Sequence, residues 1–248
     1  METLVLIPDI QCPQHDERAI AVALQLIRDI RPTQVVFLGD VIAADSISKY
    51  GKDTWAEAKL TFEQEAAITN RVLDEFDKVF RRISPERIIF LEGNHETRLV
   101  RFLLHNARQL GDIDKFRIES QLHLKERGYK YVPEEQQPVK INKFFVAHGY
   151  YLNQYHAAKT TRESHRNIFY GHTHDHQVHT PGHFENDTPI MAMSCGCLCK
   201  FRQDYLKGRP TNWMHGLTII NYNRHVFTPI FLPIVKYRCI YNGKEYEG

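Results

Sequence analysis

An α/β fold, with two packed β-sheets and helices on their outer faces, is what this sequence predicts, and three observations predict it. Five short apolar runs, at residues 4–7, 35–38, 87–91, 144–147 and 168–170, have the length and continuity of strands buried on both faces. Stretches of helical periodicity separate the first three, so the chain alternates strand, helix, strand, the pattern that builds a parallel sheet. Later apolar runs, at 189–198, 216–222 and 226–241, follow one another more directly and read as strands of antiparallel character.

Each element has its own justification. The first strand, 4–7, starts almost at Met1 and runs into Asp9 and Gln11. A helix over 16–30 follows, with Ile20, Ala23, Leu24 and Ile27 at helical spacing, and Pro32 breaks it. The strand 34–38 ends at Gly39 and Asp40, and 42–51 is a polar loop. Asp53 or Thr54 is the expected cap of a long helix whose inward stripe includes Leu60, Ala67, Ile68, Val72, Phe76 and Val79. Ser84 and Pro85 end that helix. The strand 87–91 turns at Gly93 into a helix from about residue 96, with Leu99, Phe102, Leu103 and Leu110 on one side. Residues 111–138 are less sheet-like, with a short helix over 118–127 and a proline-bounded loop over 133–138. The region from about 97 to 138 is therefore read as a small helical insertion in a single domain spanning 1–248. No internal repeat or low-complexity tract marks a linker.

Composition bounds the rest. With 248 residues, 42% of them hydrophobic, the chain can bury a sizeable core. A net charge of +2 is too near balance to argue for nucleic acid by itself. The N-terminus lacks the basic flank and cleavage site of a signal peptide, and no run approaches the roughly 18 apolar residues that span a bilayer. Five cysteines, three of them crowded at Cys195, Cys197 and Cys199, do not make a disulfide framework. A cytoplasmic protein without membrane contact is expected; oligomeric state is left open.

Chemistry collects where the strands stop. The five runs end at Asp9 and Gln11, at Asp40, at Asn94 and His95, at His148, and at His172 and His174. The carboxyl edge of an open α/β sheet is where such folds present their sites. Carboxylates, an amide oxygen and imidazoles are the donor mix that holds two divalent cations about 3.5–4 Å apart, a pair able to clamp a phosphate ester and activate a water. Asp40, fixed by a glycine at the end of a buried strand, is the best candidate to bridge them.

These residues resemble the calcineurin-like metallophosphoesterases. That family carries Asp-x-His, Gly-Asp, Gly-Asn-His-Glu or -Asp, a later Gly-His or Ala-His-Gly, and Gly-His-x-His, each on a strand end. This chain has Asp9-Ile10-Gln11, Gly39-Asp40, Gly93-Asn94-His95-Glu96, His148-Gly149 and Gly171-His172-Thr173-His174 in the same order. The resemblance implies a four-layer αββα sandwich, two mixed sheets flanked by helices, with a dinuclear metal site at the strand ends. It implies that Asp9, Asp40 and His174 hold one metal, with Gln11 where the family usually has histidine, and that Asp40, Asn94, His148 and His172 hold the other. His95 would stand by the phosphate, protonating the leaving group or stabilising charge. Glutamine oxygen in place of imidazole shifts preference toward manganese or magnesium and away from zinc or iron. The implied activity is hydrolysis of a phosphate ester by in-line attack of a metal-bound hydroxide. Motif spacing leaves room for only a modest cap, and the pattern is similar to that of compact phage and bacterial phosphoesterases. A phosphodiesterase, with DNA or a nucleotide among the candidate substrates, is preferred over a phosphomonoesterase. A scaffold that kept the fold and lost the chemistry is the rival reading, carried by Gln11 alone.

Other residues receive plainer expectations. Asp45 reads as a loop cap rather than a partner of a ligand. Arg98, three residues beyond His95, fits a phosphate contact and a surface salt bridge equally well. Cys195, Cys197 and Cys199 alternate at strand spacing and read as buried strand cysteines on one face, and Cys12 reads as a small apolar filler. His176, His179, His183 and His215 read as exposed loop histidines. Arg98, Arg101, Arg108, Arg117, Lys125 and Arg127, followed by Tyr129 and Tyr131, can be drawn as a polynucleotide groove over the metals. They read better as the solvated side of two helices whose acids, Glu96, Asp112, Asp114, Glu119 and Glu126, nearly balance them.

Overall fold

The computed structural model describes residues 1–49, 60–182 and 190–248. Its first half runs β1 (Glu2–Ile7), α1 (Glu17–Ile30), β2 (Gln34–Phe37), α2 (Phe62–Ile83), β3 (Arg87–Leu91), α3 (Thr97–Asn106), α4 (Ile118–Gln121) and β4 (Lys130–Val132). The second half runs β5 (Val139–Ile141), β6 (Phe144–Ala147), α5 (His156–Ser164), β7 (Ile168–Tyr170), β8 (Val178–His179), β9 (Ala192–Ser194), β10 (Gly216–Tyr222), β11 (Phe227–Pro233), β12 (Arg238–Tyr241) and β13 (Lys244–Glu247). One sheet has the order β11-β10-β1-β2-β3-β4 and another the order β5-β6-β7-β9-β8, with β12 and β13 as a separate hairpin. Strands β1 to β4 pair in parallel, as the crossover helices require, while β10 and β11 extend that sheet antiparallel.

Alternation along the strands sorts the core into layers. Val5, Ile7, Val35, Phe37 and Phe90 share one cluster with Ala23 and Ile27 of α1 and Leu73 and Phe76 of α2. Their neighbours Leu4, Leu6, Val36, Leu38, Ile89 and Leu91 face the other way and meet Phe144, Val146, Phe169 and Met193 between the sheets. Beyond the second sheet, Ala147, Ile168, Tyr170 and Ala192 pack with Ala157 of α5. The order is helix, sheet, sheet, helix, the αββα sandwich expected from the sequence. Full burial of so many aliphatic and aromatic side chains, each worth about 1.5–3 kcal/mol, holds the layers together.

Several elements differ from the sequence reading. Helix α1 keeps its expected start, with the Asp16 carboxylate accepting from the amides of Arg18 and Ala19. Helix α2 is capped by Thr61 in a reciprocal box with Gln64; Asp53 and Thr54 lie outside the described residues. Leu60 precedes the helix, and Ala67 is exposed, because the inward face runs through Ala66, Thr69, Val72, Leu73, Phe76 and Phe80. Phe102 is on the exposed side of α3. The region 97–138 is not helical throughout: only Ile118–Gln121 of the predicted 118–127 helix forms, and β4 joins the first sheet beside β3. Tyr129 stacks on Phe37 at 5.6 Å and Arg127 pairs with Asp74 and Asp77 of α2, so these residues seal the sheet edge instead of facing solvent. Among the described residues of the 189–198 run only Ala192–Ser194 form a strand, and the chain turns at Gly196, whose φ of +75° suits glycine. The 226–241 run splits after Pro233 because the chain turns between Val235 and Arg238, with Lys236 and Tyr237 at positive φ, and leads into the β12 hairpin. Among the described residues no helix is long and apolar enough to cross a membrane.

Candidate metal centre

The five motif-bearing strands, β1, β2, β3, β6 and β7, deliver their polar residues to one place. Asp9, Gln11, Asp40, His148 and His174 are buried there, with Asn94, His95 and His172 partly exposed. The chain must turn sharply as each strand stops: Gln11, Asp40, His172 and His174 all have positive φ, between 51° and 69°. Such conformations are uncommon outside glycine and concentrate at functional sites. Two glycines make room for the carboxylates. A Cβ on Gly93 would lie 2.3 Å from Asp40 Oδ1, and one on Gly171 would lie 2.3 Å from Asp9 Oδ2.

Three groups of potential ligand atoms result among the described residues: His174 sits with Cys197 and Cys199 in one, and Asp40 belongs to the other two. Asp9, Asp40 and His174 form one, and Asp40, His148 and His172 the other, each with its atoms within 4.8 Å of one another. His174 Nε2 is 3.2 Å from Asp9 Oδ1, and His148 Nε2 is 3.4 Å from Asp40 Oδ2. Asn94 Oδ1 and His172 Nδ1 lie 2.9 and 3.1 Å from His148 Nε2. His148 Nδ1–H donates to the Leu38 carbonyl at 2.8 Å, which turns the other ring nitrogen toward the cluster. Both Asp9 oxygens accept the His172 amide, at 3.0 and 2.9 Å.

The electrostatics favour a cation. Burial raises the Asp40 carboxyl, but the imidazoles of His148 and His95 outweigh it and hold the group well below the usual carboxylate range. Burial lowers the His148 imidazole, yet Asp40 and Asp9 together push it up to about 10. Two buried carboxylates thus draw positive charge to converging imidazole and amide donors, and this donor set fits divalent cations. His95 differs: burial, reinforced by Arg98, lowers it to about 4 against the pull of Asp40.

His95 and Arg98 form the neighbouring contact surface. His95 Nδ1–H donates to the Ala43 carbonyl at 2.9 Å, and its Nε2 accepts from Arg98 Nη2 at 3.0 Å. Arg98 Nη1 donates to Ala43 O at 2.7 Å and to Asp45 Oδ1 at 2.8 Å. Arg98 is therefore no surface salt bridge, and Asp45 is not merely a loop cap; its side chain braces the guanidinium beside the site. A cleft of about 420 Å³ opens over these groups, with Leu152, Tyr205 and Trp213 on its apolar side. Arg98 is the one member of the basic run that lines it.

Glu96 is the residue the sequence reading missed. Counted there among solvated acids, it is fully buried: Oε2 accepts from the Asp40 and Gly93 amides at 2.8 and 2.9 Å, and Oε1 from Val41 at 2.8 Å. It ties the end of β2 to the end of β3. Its place directly after Asn94 and His95 was the available signal. Asp175 has a similar part behind His172 and His174, accepting from His156, Thr173, Ser194 and Asn212. The exposed-histidine expectation fails for all three described residues: His215 is buried against Phe201, and His176, stacked on Phe231, is half-buried, as is His179 in β8. His179 lies against Thr161, and His183 lies outside the described residues. The three cysteines are buried but do not share a face. Cys195 enters the core between the sheets, whereas Cys197 and Cys199 lie beside His174, with Cys199 Sγ 3.8 Å from His174 Nδ1. The turn at Gly196 breaks their alternation.

Residues 3–207 match the family model for calcineurin-like phosphoesterases. The chain is 26% identical to the gene 54 protein of Mycobacterium phage L5 over 253 residues and 26% identical to that of Mycobacterium phage D29 over 255, with 98% of each chain covered in both. Similar solved structures include Vps29 of Entamoeba histolytica complexed with zinc, at 13% identity and a TM-score of 0.49 over 99% of this chain and 98% of that one. The phosphoesterase YfcE of E. coli is similar at 16% identity, with a TM-score of 0.43 over 88% of each chain.

Proposed function

Because the chain belongs to the calcineurin-like phosphoesterase family, and so is a metal-dependent hydrolase of phosphoester bonds, we propose that it cleaves a phosphodiester in the cleft over Asp40, with manganese as its metal. The observation that carries this reading is the sharing of Asp40 between two groups of three ligands. Asp9, Asp40 and His174 would hold one cation, and Asp40, Asn94, His148 and His172 the other. The first group offers two carboxylates and one imidazole, an oxygen-rich set that suits manganese better than zinc. Divalent cations held by these residues would supply positive charge for a phosphoryl group and an acidified water.

The protein's own groups do the rest. Arg98, braced by Asp45 and Ala43, presents donors to a non-bridging phosphoryl oxygen. His95 keeps its Nε2 on the guanidinium, so the pair acts as one unit that stabilises charge in the transition state. A diester is favoured over a monoester because the apolar side of the cleft, Leu152, Tyr205 and Trp213, suits a second, uncharged substituent on phosphorus. With only Arg98 of the basic run at the cleft, a short diester or nucleotide suits it better than a long polynucleotide track.

Metal-stripped protein given back manganese should hydrolyse bis-p-nitrophenyl phosphate, and Asp40→Asn should lower that rate by roughly a hundredfold or more. Hydrolysis of p-nitrophenyl phosphate alone would replace the diester reading with a monoesterase. Manganese binding without turnover of either ester would favour the scaffold.

A further inference from the structure

The amide of Gln11 is oriented by a neighbour that neither motif nor spacing reveals. Gln203 is buried, and its Nε2 donates to the Lys200 carbonyl at 3.2 Å and to Gln11 Oε1 at 3.0 Å. A backbone carbonyl can only accept, so it fixes which end of the Gln203 amide faces it. That end is a donor, so it requires the Gln11 oxygen opposite; turning the Gln11 amide over would set two NH₂ groups against each other at 3.0 Å. The Gln11 NH₂ consequently points the other way, into the cleft. There it lies 3.2 Å from His174 Nε2 and 3.5 Å from His95 Nε2. His95 Nε2 is an acceptor, because Nδ1–H is committed to Ala43. Gln11 therefore stands between a candidate ligand of the first cation and the His95–Arg98 unit, presenting hydrogens and not an oxygen.

We infer that Gln11 is a hydrogen-bond donor to the reacting phosphoryl group and not a ligand to the cation, and that Gln203 is the positioning residue that sets its amide. This rests on the phosphoesterase reading above. It also alters what the glutamine in the first motif means. The first cation keeps Asp9, Asp40 and His174, and the position that usually holds imidazole adds an oxyanion donor beside the Arg98 guanidinium.

The test measures binding directly, by calorimetry on the full chain, with Mn²⁺ and then inorganic phosphate as titrants. Gln11→Leu removes the donor: it should still bind two Mn²⁺ with wild-type affinity, while phosphate affinity for the Mn²⁺-loaded protein falls roughly ten- to a hundredfold, the worth of one hydrogen bond to a charged group. Loss of one Mn²⁺, or a comparable fall in its affinity, would overturn the inference and return Gln11 to the ligand set. Gln203→Glu, isosteric with the native residue, should accept from the Gln11 NH₂ and turn its oxygen to the cleft. Mn²⁺ should then bind more tightly at one site and phosphate more weakly, with KM for the diester raised more than kcat is lowered. Unchanged Mn²⁺ and phosphate affinities in Gln203→Glu would sink the positioning role. Wild-type protein that binds no Mn²⁺ would refute the manganese-dependent diesterase reading above, a result separate from either.

Discussion

At the scale of single residues, Asp45 sets how well Arg98 can be used. A guanidinium on a flexible stem loses rotamer freedom whenever it grips a phosphate, and a carboxylate 2.8 Å away removes that cost in advance. Asp45→Ala should leave the fold intact and lower kcat/KM for bis-p-nitrophenyl phosphate about tenfold, mostly through KM. Steady-state kinetics beside a thermal melt checks this; unchanged kinetics would return Asp45 to the role of a loop residue. The distant partners of Asp45 and Glu96 were illegible for one physical reason. Asp45 meets Arg98 across 53 positions, and Glu96, besides the Gly93 amide of its own motif, takes the Asp40 and Val41 amides from a strand end more than 50 positions earlier. No local pattern encodes such partners, whereas Asp9, Asp40 and His148 announce themselves by standing where an apolar run stops.

At the scale of elements, the strand ends work only if their loops approach one another closely, and glycine allows it. Gly171 lets the Asp9 carboxylate lie against the His172 amide. Gly171→Ala should displace Asp9 and weaken Mn²⁺ binding about tenfold or more, as losing a ligand's support does, which calorimetry would read. The edge of the first sheet tells the opposite story. Arg127, expected on a charged face, is half-buried, with its guanidinium between Asp74 and Asp77 and bonded to the Asn70 carbonyl. Arg127→Met should cost about 3 kcal/mol, because Asp77 would stay behind with its charge uncompensated, yet leave KM unchanged. Urea unfolding and kinetics on the same variant separate the two effects; a raised KM with unaltered stability would restore the substrate groove. The sequence could not tell these arginines apart, since charge counts carry no information about which side chains a sheet edge needs for closure.

At the scale of the whole molecule, the layers were legible because they follow from alternation: once Leu4 and Leu6 face one side of β1 and Val5 and Ile7 the other, both faces must be covered. What alternation could not show is that the helix layer also holds the loop beside the candidate metal centre. Glu65 of α2 turns inward and accepts from the Asp45 amide at 3.0 Å and the Ser46 hydroxyl at 2.8 Å. Burial, with the charge of Asp45 adding to it, raises the Glu65 carboxyl from 4.5 to about 7. A carboxyl whose folded pKa lies above its unfolded value binds its proton more tightly in the folded state. Its contribution to stability is therefore fully present below pH 4.5 and is lost as pH rises through 7. The loss is on the order of 3 kcal/mol between those limits. Glu65→Gln keeps an acceptor for the Asp45 amide and a polar partner for Ser46 without the charge, so it should remove this slope and be the more stable protein at pH 8. At pH 5 the variant and wild type should nearly coincide. Urea midpoints at the two pH values decide it: equal gaps at both would mean that Glu65 is ionised in the folded protein throughout, and that the loop carrying Asp45 is held without the proton that burial demands.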